Sequence, residues 1–280
     1  MAFVQAGQVR LEYFDSGQSG TVMVLIHGAS SSARIWHTVQ ARLAEDRVRS
    51  IAICMRGAGG SDSTPSSDDY NPAAYARDIV AALKTLDLKT FVLIGHSLGV
   101  ATALNFMSEH ALEFDVQALV LIAGGDAKGR PSLTPDQVRE IEANLSSPPS
   151  EDEATRRALW EPNHLGPPAD VRDELWQDIQ SNPKERTIGQ RIGERPDMTE
   201  VLAGLTIPTL VMSGDADRTV ALESTLRGYL SLPIEHRHLH IFHGISHFPN
   251  AQVPEEVARV LHSFVDALVP ELKNTSMRAS

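Results

Sequence analysis

The stretch Phe91-Val92-Leu93-Ile94-Gly95-His96-Ser97-Leu98-Gly99-Val100-Ala101-Thr102-Ala103-Leu104 (FVLIGHSLGVATAL) sets one serine between two glycines, where one apolar run gives way to another. The run before Gly95 is uncharged and holds β-branched and aromatic residues, as a strand buried on both faces would. From Leu98 onward the composition is helical. A strand that passes into a helix within so few residues must turn sharply, and glycine on both sides removes the Cβ atoms that would collide there. Ser97 is left at the apex. Gly95 to Gly99 thus fit G-x-S-x-G in the strand-turn-helix setting that this pattern needs to carry a nucleophile.

A serine hydroxyl is a poor nucleophile near neutral pH, so it needs a base in contact and a third group to orient that base. Two downstream segments supply candidates. The strand-like run Ile207 to Met212 leads into Ser213-Gly214-Asp215-Ala216-Asp217, which places two carboxylates at a strand's C-terminal end, where open parallel sheets put their sites. The run Arg237 to Phe242 leads into His243-Gly244-Ile245-Ser246-His247-Phe248, which places His247 in the loop after the next strand. Asp126, after the run Ala118 to Ala123, is a third carboxylate at a strand end.

Around these segments, strand-like and helical runs alternate: Val22 to Ile26 then Ile35 to Leu43, Val48 to Cys54 then Tyr75 to Leu86, and Phe91 to Ile94 then Leu98 to Met107. Such alternation predicts βαβ units in an α/β fold with a mostly parallel sheet flanked by helices. Val9 to Phe14 reads as part of an N-terminal hairpin. Residues 128–204 are rich in charge and proline, with helical segments around Pro135 to Asn144, Glu151 to Trp160, Val171 to Ile179 and Thr187 to Ile192. This span far exceeds an ordinary loop of about 4–6 residues, and we read it as a helical lid. The core is then 1–127 with 205–270, closed by a helix from Glu255 to Leu268, and 271–280 is expected to be a loose tail.

With 280 residues and 42% hydrophobic content, the chain can bury the core of one large domain with an insertion. Its formal net charge of -11 repels phosphate backbones and anionic lipid heads, which leaves small molecules rather than nucleic acid or membrane as the expected partners. Cys54 is the single cysteine, and the N-terminal MAFVQAGQVRLEYFDSG has neither a basic nor a long apolar region, so a cytoplasmic location is expected.

On these residues the chain resembles the α/β-hydrolase fold superfamily. The resemblance runs from Val9 to Leu268 and includes His27-Gly28, Arg56-Gly57-Ala58-Gly59-Gly60-Ser61, the Gly95 to Gly99 elbow, the Gly-x-x-Asp turn ending at Asp217 and the late Gly-x-x-His ending at His247. It implies a Ser97, His247 and Asp217 triad, with Asp126 in reserve as the acid, and an oxyanion hole made by the backbone N–H groups of Leu98 and Ala29. It implies no metal or organic cofactor. Ser30, Trp36 and Phe248 lie close in sequence to the oxyanion loop or to His247. They are candidate pocket residues, as are Trp160 and Trp176 of the insertion, together with His164, although those rings could equally bury the lid on the core.

One departure from the family pattern is Cys54, which stands where relatives commonly carry an aspartate two residues before the arginine of Arg56-Gly57. We read it as a buried, inert thiol. His236, His238 and His240 alternate along one strand and read as a solvated face rather than a metal site. A serine at the elbow separates the chain from branches that use aspartate there, such as epoxide hydrolases and haloalkane dehalogenases. Hydrolysis of a carboxylic ester or lactone is the default that the resemblance implies. Carbon-carbon bond hydrolases, perhydrolase-type haloperoxidases and cofactor-independent members stand as alternatives, as does a lid-closing small-molecule receptor. The first two often carry methionine after the serine, and Leu98 here favours acyl hydrolysis.

Overall fold

The computed structural model describes residues 1–146 and 151–278. Its frame is an eight-stranded sheet of β1 (Ala2–Ala6), β2 (Val9–Asp15), β3 (Val22–Ile26), β4 (Arg49–Ile53), β5 (Thr90–His96), β6 (Asp115–Ile122), β7 (Thr209–Gly214) and β8 (Arg237–Phe242), in the spatial order β1-β2-β4-β3-β5-β6-β7-β8. The hairpin of β1 and β2 is antiparallel and joins β4 antiparallel; every later pairing is parallel. The order reverses beside β3, so β3 and β5 are central neighbours. Open α/β sheets place their ligands outside the carboxyl ends of strands at such a reversal. The Ser97 elbow follows β5 directly.

Alternate residues of β3 show why the sheet needs cover on both faces. Val24 and Ile26 pack with Ile79, Leu83 and Phe106 from α2 (Pro72–Thr85) and α3 (Leu98–His110). Met23 and Leu25 pack with Val39, Leu43, Val257 and Leu261 from α1 (His37–Glu45) and α11 (Pro254–Arg278). All five residues of β3 are buried, which is the texture of a strand covered twice. The closing helix α11 runs on to Arg278 past the expected end at Leu268. Residues 271–278, expected to be a loose tail, hold no glycine or proline that would stop it. Among the described residues, no helix is long and apolar enough to cross a membrane.

Between β6 and β7 the chain forms α4 (Pro135–Ser146), α5 (Glu153–Trp160), α6 (Ala169–Gln180), α7 (Lys184–Ile192) and the short α8 (Thr199–Ala203). After β7 come α9 (Leu222–Ser231) and, beyond β8, the short α10 (Pro249–Gln252). Neither α8 nor α10 was expected from periodicity; one or two turns are too short to show a hydrophobic repeat. Arg34 ties the inserted helices to the sheet. Its guanidinium donates to Glu12 of β2 at 3.2 Å, and to Asp178 and Glu174 of α6 at 3.0 Å each. Glu12, almost fully buried, also accepts the N–H of Gly60 at 2.8 Å and the thiol of Cys54 at 3.4 Å. Burial and the Glu12 carboxylate push the Cys54 thiol well above its ordinary pKa, so it is a protonated core group.

The Arg56 turn is structural. Its guanidinium grips Asp78 of α2 through two hydrogen bonds of 2.6 and 2.5 Å, and Asp78 is buried. Removing the cation leaves that carboxylate in a site that disfavours its charge, as burial has already pushed its pKa upward. Arg56→Met is expected to destabilise the fold by about 3 kcal/mol, seen as a lower urea midpoint at pH 7. An unchanged midpoint would show that the pair contributes nothing net.

Candidate active site

The elbow is built by close approach of backbones. A methyl group at Gly95 would overlap the carbonyl oxygen of Gly99, and one at Gly99 would overlap that of Ile26. Ser97 itself takes φ 53 and ψ -115, a conformation that a non-glycine residue keeps only where its surroundings enforce it. Enforcement comes from its own N–H, which donates to Ile122 of β6 at 2.8 Å, and from α3, which begins at the next residue. Ser97 caps α3 without a side-chain capping bond, so its hydroxyl is free for another partner.

That partner is His247. Its Nε2 lies 2.9 Å from Ser97 Oγ, and its Nδ1 lies 2.8 Å from Asp217 Oδ2. The other oxygen of Asp217 accepts the N–H groups of Thr219 at 2.7 Å and Val220 at 2.9 Å. Burial alone would raise the Asp217 pKa, but the hydrogen bond to His247 and the two backbone donors outweigh it and hold it below the usual carboxylate value. An ionised Asp217 fixes the proton of His247 on Nδ1, which leaves Nε2 as the acceptor facing the serine. The two other carboxylates lie elsewhere: Asp215 binds His243 at 2.8 Å on the surface, and Asp126 binds Arg227 at 3.1 Å.

Two further histidines frame this relay and are buried without charge. His27 accepts the N–H of Met55 on Nε2 at 3.1 Å and lies 2.8 Å from its neighbour Gly28 O through Nδ1, which fixes its tautomer. His96 donates from Nε2 to the backbone carbonyl of His247 at 2.8 Å and so holds the loop that carries His247. Burial, aided by the Arg186 charge for His27 and by His247 for His96, pushes each pKa down to about 3.

The turn after β3 carries Gly28, Ala29 and Ser30, with Ser30 at φ 52. Gly28 faces the elbow so closely that a Cβ there would lie 3.1 Å from that of Ser97. Helix α7 grips this turn. Ser30 N–H donates to Gln190 Oε1 at 3.3 Å, the Gln190 amide donates to Tyr75 Oη at 2.9 Å, and the fully buried Arg186 donates to Ser31 O at 2.9 Å. Sequence reading missed this contact, although Arg186 and Gln190 are four apart and so share one face of a helix. On the other side of the elbow, Leu98 is the first residue of α3, where backbone N–H groups have no intrahelical acceptor and the helix dipole favours negative charge.

A cavity of about 300 Å³ opens at Ser97, lined by Leu98 and Asn105 of α3, by Lys128 after β6, and by Arg195 and Met198 before α8. The aromatic residues expected in the pocket lie outside its wall. Trp36 is fully buried, edge-on to His96 at 6.4 Å. Trp176 meets Trp160 at 5.4 Å, Trp160 stacks on His164 at 4.1 Å, and His164 meets Phe248 at 4.6 Å. These rings face one another and the core, so they dock the inserted helices rather than line the cavity. His238 and His240 likewise pack against Phe264 and Phe242.

A model of the alpha/beta hydrolase family matches residues 23–260, and the chain belongs to that family. Across 94% of both chains it is 28% identical to a 2-(acetamidomethylene)succinate hydrolase of Mesorhizobium japonicum. In fold it is similar to a thermophilic esterase from Thermogutta terrifontis, with a TM-score of 0.78 and 22% identity over 95% of this chain and 98% of that one. It is also similar to the enol-lactonase of Burkholderia xenovorans LB400, with a TM-score of 0.75 and 15% identity over 95% of this chain and all (100%) of that one.

The buried neutral histidines set a pH dependence. The unfolded chain binds protons on His27 and His96 below pH about 6.5, whereas the folded chain refuses them until about pH 3. Stability therefore falls as pH drops between those values, by about 3 kcal/mol per pH unit for two such groups across the middle of the window. His164, pushed down to about 4 by burial, adds to the same slope. Urea midpoints at pH 5 and pH 7 check this: a clearly lower midpoint at pH 5 is expected, and equal midpoints would mean that these rings are charged or exposed.

Proposed function

We propose that this alpha/beta hydrolase cleaves a carboxylic ester or lactone of a small organic molecule through an acyl-enzyme on Ser97. The observation that carries this reading is the unbroken contact from Asp217 through His247 to Ser97, at 2.8 and 2.9 Å. His247 Nε2 takes the proton of Ser97 Oγ as that oxygen adds to the substrate carbonyl carbon, and Asp217 stabilises the imidazolium that forms. The carbonyl oxygen gains the negative charge, and the N–H groups of Leu98 and Ala29 receive it. Each such donor is worth about 10²–10³ in rate. When the tetrahedral carbon collapses, the bond to the leaving oxygen breaks and that oxygen takes the proton from His247. Water then repeats the sequence: His247 removes its proton, its oxygen adds to the acyl carbon, and Ser97 Oγ leaves with the proton returned.

A second reading is an acyl group on nitrogen rather than oxygen. It is favoured by the relative from Mesorhizobium japonicum, whose name describes an acetamido compound. The same residues would serve, with His247 protonating a nitrogen instead.

Steady-state kinetics on a panel of short esters, lactones and N-acyl compounds test both readings. Ser97→Ala is expected to lower kcat by about 10⁶ and Asp217→Asn by about 10⁴, with KM changed much less. A Ser97→Ala protein that keeps its rate on the best substrate would remove Ser97 from the chemistry. The ranking of the panel separates oxygen from nitrogen leaving groups.

A further inference from the structure

Arg130, Arg191 and Arg195 come together beside the cavity, and Arg195 forms part of its wall. Arg130 and Arg195 are paired across an isolated antiparallel bridge, with Arg130 N–H donating to Arg195 O at 2.9 Å. Residues directly opposite in such a bridge project to the same side, and like charges there repel. Gly129 makes the approach possible: at φ 69, any Cβ would overlap the Arg195 carbonyl oxygen. Arg191, at the end of α7, lies near enough for its charge to bear on both. The pKa of Arg195 and that of Arg130 are lowered, first by burial and then by neighbouring guanidinium charge.

None of the three has a carboxylate within 4.0 Å among the described residues. Arg195 donates to Gln190 O at 3.1 Å and Arg130 to Gly193 O, at 2.6 Å, which are neutral carbonyls. Yet the chain carries 36 Asp and Glu against 25 Lys and Arg, so acids are plentiful, and Arg34, Arg49 and Arg56 each hold one. Half-buried cations facing one another without an anion are costly, and a bound anion relieves both the repulsion and the lost hydration. Arg195 lines the same cavity as Ser97, and Lys128 adds a further positive charge to its wall. Asp126, also on that wall, is already engaged by Arg227 at 3.1 Å and by the Lys128 N–H at 3.4 Å.

We propose that the substrate carries a carboxylate besides the acyl group that reacts, and that Arg195, backed by Arg130 and Arg191, binds it. A guanidinium presents parallel N–H donors that match a planar carboxylate. This builds on the acyl-hydrolase reading of the same cavity, because it names what the cavity holds while Ser97 reacts. Arg195 is then a specificity residue.

The test has a binding arm that needs no turnover. Calorimetry compares glutarate with its neutral analogue glutaramide on the wild-type protein, Arg195→Gln and Arg130→Gln. Glutarate is expected to bind at least ten-fold tighter than glutaramide, to weaken as salt is raised from 50 to 500 mM (about a three-fold drop in screening length), and to lose that advantage in Arg195→Gln. In the turnover arm, the wild-type protein is expected to show at least ten-fold higher kcat/KM on an aryl monoester of adipic acid than on the aryl ester of its monoamide, chiefly through KM. Arg195→Gln should collapse that ratio. Equal binding of glutarate and glutaramide, no binding of either, or a ratio unchanged by both substitutions would overturn the proposal. Glutarate binding without hydrolysis of any ester would instead uphold this site and sink the acyl-hydrolase reading.

Discussion

The structure depends on one steric constraint, the contact of three backbones at the end of β5. Gly95 lies against the first turn of α3, Gly99 lies against the carbonyl of Ile26 at the end of β3, and Gly28 lies against Ser97. A side chain at Gly95 or Gly99 would push β3, β5 and α3 apart. With them in contact, Ser97 is forced to φ 53 and ψ -115, a strain of about 1–3 kcal/mol that the buried strands on either side can hold. Three consequences follow from the same geometry. The Ser97 hydroxyl stands clear of the sheet, the Leu98 N–H is left at an open helix start, and the turn through Ala29 lies beside both.

Charge is distributed around that point so that one histidine has an anionic partner and the other two do not. His247 has an anionic partner in Asp217, whereas His27 and His96 are buried with backbone partners and hold pKa values of about 3. His96 holds the His247 carbonyl, and His27 holds Met55 and lies against the carbonyl of Gly28. The inserted helices complete the site from above. Helix α7 reaches the turn after β3 through Arg186 and Gln190, and Arg34 anchors α6 to the buried Glu12. Displacing α7 would therefore disturb the turn that carries Ala29.

Much of this was legible in the chain because it is local. The β3 and β8 bounds match the strand-like runs read for them, and the elbow, the acid turn and the late histidine each follow a strand within a few residues. Of the three carboxylates weighed in the sequence, Asp217 is hydrogen-bonded to His247, Asp215 to His243 and Asp126 to Arg227. What was not legible depends on distant pairs. Trp36, Trp160, Trp176 and Phe248 are aromatic residues near the right segments, and sequence gives no sign that their rings meet one another instead of the cavity. The contact of Arg130 with Arg195 spans a long insertion and is made possible by one glycine, so no periodicity announces it. The helical run of α11 past Leu268 was missed because Pro270 reads as a stop.

Whether the fold activates Ser97 is read from covalent labelling of its hydroxyl. Intact-mass measurement after exposure to a neutral alkyl fluorophosphonate, with peptide mapping, should show one adduct on Ser97 in the wild-type protein. The same adduct should form far more slowly in His247→Ala and be absent in Ser97→Ala. A well-folded wild-type protein that takes no label, or that is labelled as fast without His247, would contradict the account.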